Sequence, residues 1–317
     1  MNTQILTGVI AVLGLLANLA GVGAATAQDG HAMHAEPADH GHHHADFASD
    51  RLHIRVDGAE GGKDIILIPG LSSSPEVWDG TVAHLGAGWR VHRIHIQGFA
   101  GAPAEGNATG PVAAPVAEEI ARYITEKHLD HPVIVGHSMG GTIGLMLAAR
   151  HPDLVGKLMV VDMVPFLGAM FGGPGSTVES VTPIADQIYA GMANSPPEAY
   201  QARAATTVAG MVNNAEARAA VLVDTADSDQ KVSAASYREL LVTDLTPELP
   251  HVTAPTEVLY VTFNVPGMTA ATTDAIYQSA FASLPGVTLK RVDDSAHFIM
   301  LDQPDAFYAD LDAFLAK

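Results

Sequence analysis

The chain contains no cysteine. Disulfide staples, thiolate nucleophiles and cysteine-ligated zinc are therefore excluded. Positive charge is scarce: 16 Lys and Arg stand against 35 Asp and Glu, a formal net charge of −19. A nucleic-acid partner needs clustered basic side chains against its phosphates, so no such partner is expected. An anionic membrane surface is disfavoured on the same ground. Aromatic residues are few (6%) and charged residues make up 16%, whereas 48% of the 317 residues are hydrophobic. That composition supports a large buried core and rules out a disordered or fibrous protein.

Charge is also missing from the start of the chain, where the first charged side chain is Asp29. Before it, Ile5 to Ala24 is rich in Leu, Val, Ala and Gly, and Ala25-Thr26-Ala27 follows as a small-x-small cleavage pattern. Residues 1–27 therefore read as a secretory signal peptide cut after Ala27. The segment lacks an N-terminal Lys or Arg and is long enough to span a bilayer, so an uncleaved anchor is the competing reading. Either way the remainder is exported, to the periplasm or beyond, and a cleaved signal leaves no stable membrane partner.

Residues 28–50 differ again. Six of the 16 His fall here: His31, His34, His40, His42, His43 and His44. Apolar periodicity is almost absent, and the stretch reads as a disordered linker. Clustered imidazoles bind divalent metals weakly when nothing pre-orders them, so a weak metal partner is open here beside a plain solvated tail.

From residue 51 the chain alternates strand and helix signals. Leu52 to Val56 alternates, and Ile65 to Ile68 is a short continuous apolar run stopped by Pro69-Gly70. Arg90 to Ile96, Val133 to Val135, Lys157 to Val161, Thr256 to Phe263 and Val287 to Val292 read as further strands. Helical spacing appears at 112–128, 141–150, 272–284 and 305–315. The order predicts an α/β fold with a mostly parallel, doubly wound sheet. Between about 165 and 250 the strand signal fades into helical stretches near 182–193, 197–212, 214–224 and 232–243, read as a helical insertion.

The third buried strand runs straight into Gly136-His137-Ser138-Met139-Gly140-Gly141, and a helix of small residues follows at once. A G-x-S-x-G between strand and helix forces its serine into a strained turn that projects Oγ from the carboxyl end of the sheet. The helix after it aims its free N–H groups at any oxyanion formed there. A serine nucleophile needs a base, and His297 stands just after the last predicted strand, on the same edge of the sheet. No cofactor is called for.

With Ile68-Pro69-Gly70-Leu71 and the nearby Trp78, the elbow around Ser138, and Ala296-His297-Phe298 followed by Asp302-Gln303-Pro304 and Phe307, residues 51–317 resemble the α/β-hydrolase fold superfamily, in its serine esterase and lipase-like branch with a helical cap. The resemblance implies Ser138 as nucleophile, His297 as general base, and the backbone N–H groups of Leu71 and Met139 as an oxyanion hole. The acid is where the chain departs. Relatives keep Asp or Glu after the strand occupied here by Val258 to Val261, but Thr262-Phe263-Asn264-Val265-Pro266-Gly267 has no carboxylate. A variation within the superfamily moves the acid one strand earlier, which points to Asp162. Asp274 downstream, Asn264 holding the tautomer alone, and no carboxylate at all remain the alternatives. The usual Asp-x-x-Gly motif of relatives is reduced to Gln97-Gly98-Phe99-Ala100-Gly101, read as a structural turn.

The helical cap would supply the pocket wall. Met192 and Met211 suit an adaptable apolar lining, and plain core is their commoner role. The resulting expectation is an exported serine hydrolase acting on an ester or related acyl bond of a small to medium hydrophobic substrate. The competing expectation is a non-catalytic binding protein on the same scaffold, with a metal-binding His-rich tail.

Overall fold

The computed structural model describes residues 43–44 (backbone only), 47–173, 175–262, 265 and 267–317. The predicted signal segment, most of the His-rich stretch and Asn264 lie outside the described residues. Among the described residues, eight strands form one sheet: β1 (His43–His44), β2 (Leu52–Asp57), β3 (Lys63–Ile68), β4 (Trp89–Ile96), β5 (Val133–His137), β6 (Lys157–Val161), β7 (Thr256–Tyr260) and β8 (Thr288–Arg291). Their order is β1-β2-β4-β3-β5-β6-β7-β8. The pairs β1–β2 and β2–β4 are antiparallel and every other pair is parallel.

The continuous apolar runs end up in the middle of this sheet because both faces there are covered. Side chains alternate between two cores. Ile66 and Ile68 of β3, Leu158 and Val160 of β6, and Val258 of β7 enter one core with helices α2 (Ala113–Glu126) and α3 (Met139–Arg150). Ile65, Leu67, Met159, Val161 and Leu259 enter the other, with Trp78, the partly buried side chains of α1 (Asp79–Leu85), and Phe307, Leu311 and Phe314 of the C-terminal helix Pro304–Ala316. All the named strand residues are at most 1% exposed, which is the physical content of a two-faced parallel sheet.

Among the described residues between β6 and β7 lie five α-helices: α4 (Ala169–Gly172), α5 (Val178–Ala193), α6 (Pro197–Met211), α7 (Ala215–Asp227) and α8 (Gln230–Val242). Their starts are written in capping residues. Thr177 makes a reciprocal capping box with Ser180, while Asn214 and Asp229 each accept two backbone N–H groups of the first turn of α7 and α8. A small separate core of Phe171, Ile188, Met192, Tyr200, Tyr237 and Leu241 holds α4, α5, α6 and α8 to one another. After β7 come α9 (Ala270–Ala280), β8, the single turn α10 (Ile299–Asp302) and α11 (Pro304–Ala316). Helix α9 ends before the predicted residue 284, where Phe281 leaves the helix to enter the core.

Described residues before 51 contact the body of the fold. The last residues of the predicted linker dock on it: the Phe47 ring stands edge-on to Tyr123 at 5.1 Å, with the Arg122 guanidinium 4.1 Å from its face. The Asp50 carbonyl accepts the Gly106 N–H at 2.8 Å.

Candidate active site

The elbow is built by close approach of backbone. Ser138 follows β5 with φ 53 and ψ −121, outside the regions an ordinary L-residue prefers. The residues two positions to either side must be glycine: a Cβ on Gly136 would collide with the Gly140 carbonyl, and one on Gly140 with the carbonyl of Ile68. A Cβ on Gly70 would come within 3.1 Å of the Ser138 Cβ, so the turn carrying Leu71 lies directly against the serine. Ser138 caps α3, and the Met139 N–H is the first of the four amides that a helix cannot satisfy internally. The carbonyl of Ser138 is used by Gly141 and Thr142, at 2.8 and 3.2 Å.

His297 and Asp162 arrive from distant parts of the chain. Asp162 follows β6 with φ 54, its N–H extending the ladder to the Leu259 carbonyl at 2.7 Å. Its side chain is 3% exposed, and Oδ2 accepts from His297 Nδ1 at 2.6 Å. Oδ1 accepts from the Tyr277 hydroxyl at 3.0 Å and from the Val261 N–H at 3.2 Å. Burial and the neighbouring Asp162 charge push the Tyr277 phenol well above its ordinary range, so it stays a donor. With its Nδ1 proton given to a carboxylate, a neutral His297 keeps the Nε2 lone pair free to take a proton.

Two further groups hold the His297 loop, and sequence reasoning missed their roles. His137, within the elbow motif, is completely buried and donates Nε2–H to the His297 carbonyl at 3.1 Å. Burial, reinforced by the neighbouring His297, drives its pKa well below the usual imidazole range, so it stays neutral. Asp302, quoted in the sequence only as part of a motif, accepts the Ala296 N–H at 2.9 Å. Its other oxygen accepts the Asn213 and Asn214 N–H groups, each at 2.9 Å, tying the His297 loop to the start of α7. The only signals were motif neighbours: the position before the serine, and the acid five residues after the histidine.

Asp274, the alternative acid, is occupied elsewhere. Its carboxylate accepts from the Tyr260 hydroxyl and from Arg291 Nε, each at 2.9 Å, at the edge of the sheet. The Tyr277 ring stacks on Tyr260 at 4.1 Å, and its hydroxyl reaches Asp162 from the side of β7.

Ser138, Asp162 and His297 all line one cavity of about 210 Å³, together with Gly70, Leu71 and Ser72. Its remaining wall is mainly apolar and comes largely from the cap: Leu167, Met170, Met192, Val208, Met211 and Val221. Met192 and Met211 thus face the cavity as well as packing in cores. The Phe166 to Gly175 segment contributes Leu167 and Met170. Among the described residues no group of three or more His, Asp or Glu is placed to hold a metal ion, and no helix is long and apolar enough to cross a membrane.

The chain is similar to known proteins in sequence and in fold. A family model described as the alpha/beta hydrolase family covers residues 65–311. A pimeloyl-[acyl-carrier protein] methyl ester esterase of Vibrio cholerae is 27% identical over 270 residues, 84% of this chain and 98% of its own length. A protein of Yersinia enterocolitica, provisionally named a carbamate hydrolase, is 33% identical over 105 residues, 33% of this chain and 37% of its own length. Among solved structures, an enol-lactonase from Burkholderia xenovorans superimposes with a TM-score of 0.68 at 20% identity, covering 86% of this chain and 100% of that one.

Proposed function

The chain belongs to the alpha/beta hydrolase family and is a hydrolase, and we propose that it cleaves an ester or related acyl bond by a Ser-His-Asp acyl-enzyme mechanism. The observation that carries this reading is the 2.6 Å bond from His297 Nδ1 to Asp162, on the cavity wall that also holds the strained Ser138. In this mechanism His297 Nε2 takes the Ser138 proton as Oγ attacks the carbonyl carbon. The Asp162 carboxylate fixes the imidazole tautomer and balances the imidazolium. The Leu71 and Met139 N–H groups receive the carbonyl oxygen as it gains charge. The imidazolium then protonates the leaving alcohol, and water, deprotonated by His297, releases the acyl group.

The apolar, methionine-rich wall favours a hydrophobic substrate of small to medium size. The full-length similarity to a methyl ester esterase agrees with an ester bond. Export, by cleavage after Ala27, is part of the proposal and rests on the apolar N-terminal segment alone. Mass spectrometry of the mature N-terminus tests it: a chain starting at Gln28 is expected, and a chain retaining residues 1–27 overturns cleavage.

A fluorophosphonate probe, applied to the wild type and to Ser138→Ala and Asp162→Asn, tests the chemistry. Labelling should vanish with Ser138→Ala and slow by orders of magnitude with Asp162→Asn. A folded wild type that takes no label, or a Ser138→Ala protein that keeps esterase activity, would sink the mechanism.

A further inference from the structure

The cavity wall is apolar except at the reacting groups and a few hydroxyls, and one of those hydroxyls is costly to keep. Ser72, one residue after Leu71, has φ 53, a conformation that glycine adopts without strain. Among the described non-glycine residues with positive φ, those lining the cavity are Ser72, Ser138 and Asp162. The other two belong to the proposed reacting groups.

Ser72 is also held from the cap. Its Oγ lies 2.8 Å from the Oγ of Ser233 on α8, a side chain with no exposure. The loop is fixed further along, where Asp224 of α7 accepts both the N–H and the hydroxyl of Ser74 at 2.9 and 2.7 Å. Two hydroxyls carry two donor hydrogens, and the link between them uses one. Donation from Ser72 would leave the Ser233 hydrogen buried in the cap, whereas Ser72 lines the cavity. The bond therefore runs from Ser233 to Ser72, and the free hydrogen is that of Ser72.

We propose that the Ser72 hydroxyl is a specificity-determining donor, and that the substrate is an ester or related acyl compound with a second oxygen acceptor a few bonds from its carbonyl. The second acceptor follows from position: Ser72 is the neighbour of the Leu71 amide that receives the carbonyl oxygen. A purely hydrocarbon substrate leaves this buried donor unpaired, which a site of this kind disfavours. The inference rests on the Ser138 reading above and deepens it.

The test uses isosteric pairs. On the acyl side, p-nitrophenyl hexanoate is compared with p-nitrophenyl 3-ethoxypropanoate and 4-methoxybutanoate. On the alcohol side, butyl hexanoate is compared with 2-methoxyethyl hexanoate. The readout is the ratio of kcat/KM within each pair, in the wild type and in Ser72→Gly. Glycine relieves the strained φ, so this variant folds. The ratio should fall about tenfold for at least one pair, the loss of one hydrogen bond. An unchanged ratio in every pair overturns the proposal, including the case where both members of a pair slow equally. Calorimetric binding of the same esters to Ser138→Ala, with and without Ser72→Gly, reads the ratio without turnover. If the wild type hydrolyses no ester and takes no label, the Ser138 reading fails while the binding ratio still decides the role of Ser72.

Discussion

At the scale of single residues, the site depends on a few atoms whose partners are separated by more than a hundred residues of chain. Asp162 and His297 meet at 2.6 Å across 135 positions. Asp162→Asn leaves the shape but offers the amide NH₂ or a weaker acceptor to His297 Nδ1, which favours the wrong tautomer. The expected fall in kcat is about 10³ to 10⁴, measured on a chromogenic ester, whereas Asp274→Asn should change kcat less than about threefold. A large loss in Asp274→Asn with a small one in Asp162→Asn would reassign the acid. Tyr277→Phe removes one of three donors to Asp162 and should cost about tenfold in kcat with KM nearly unchanged. Gly140→Ala needs no kinetics: its Cβ meets the Ile68 carbonyl, and the elbow cannot form without moving β3. Loss of soluble folded protein is expected, and a normally active Gly140→Ala would contradict the packing described.

At the scale of elements, the cap does more than cover the serine. Glu239 of α8 is buried and places both carboxylate oxygens over the start of α2, accepting the N–H groups of Val112, Ala113 and Ala114 at 2.6, 2.8 and 2.9 Å. These are amides that a helix cannot satisfy itself, and the negative charge also complements the positive end of the helix dipole. Glu239→Gln removes the charge and turns one acceptor into a donor facing an N–H. It should destabilise the protein by about 2 to 3 kcal/mol in urea unfolding at neutral pH. An unaltered midpoint would mean that water replaces the carboxylate at no cost. Asp302 plays a parallel part between the His297 loop and α7, so the cap and the sheet share their anchoring carboxylates.

The elements were legible in the sequence to different degrees. The buried strands from β3 to β7 and the strand–serine–helix unit were readable because continuous apolar runs stopped by glycine have few other structural uses. Helices α6, α7 and α8 lie within a few residues of the helical stretches expected near 197–212, 214–224 and 232–243, and Asn214 and Asp229 cap the last two. The docking of Phe47 was not readable, because a lone aromatic in a polar tract has no period to detect. The roles of His137, Tyr277 and Asp302 were not readable either. Each acts through one hydrogen bond to a residue remote in the chain or held in a loop, and no local spacing encodes such a partner.

At the scale of the whole molecule, acid should loosen the fold before its carboxylates protonate. His137 is fully buried and His92 nearly so, and burial lowers both imidazoles below their ordinary range, with the Asp64 bond only partly opposing this for His92. In the unfolded chain both return to ordinary values of about 6.5. Below that pH the unfolded state binds more protons, so stability rises with pH and is lost as pH falls. Each histidine contributes a slope of up to about 1.4 kcal/mol per pH unit until its folded pKa is reached. Melting temperatures should therefore stay nearly level from about pH 7.5 to about 6.5 and fall from there down to about pH 5. A flat profile across that interval would show that the two imidazoles accept protons in the folded state.

The sequence by itself determined the sheet class, the helical cap between β6 and β7, the placing of Ser138 at a strand–helix turn, and the candidacy of His297 and Asp162. Local chain chemistry suffices for these: hydrophobic period, glycine where backbone must pass close, and the position of polar residues at strand ends. Only the tertiary structure decided which carboxylate His297 meets, which donors hold that carboxylate, and which hydroxyls face the cavity. Those outcomes depend on strands β6 and β7 lying side by side, and on α6, α7 and α8 folding back over the serine. Packing sets such juxtapositions, because burying the apolar faces of sheet and cap together leaves each polar group only the partners that arrive beside it.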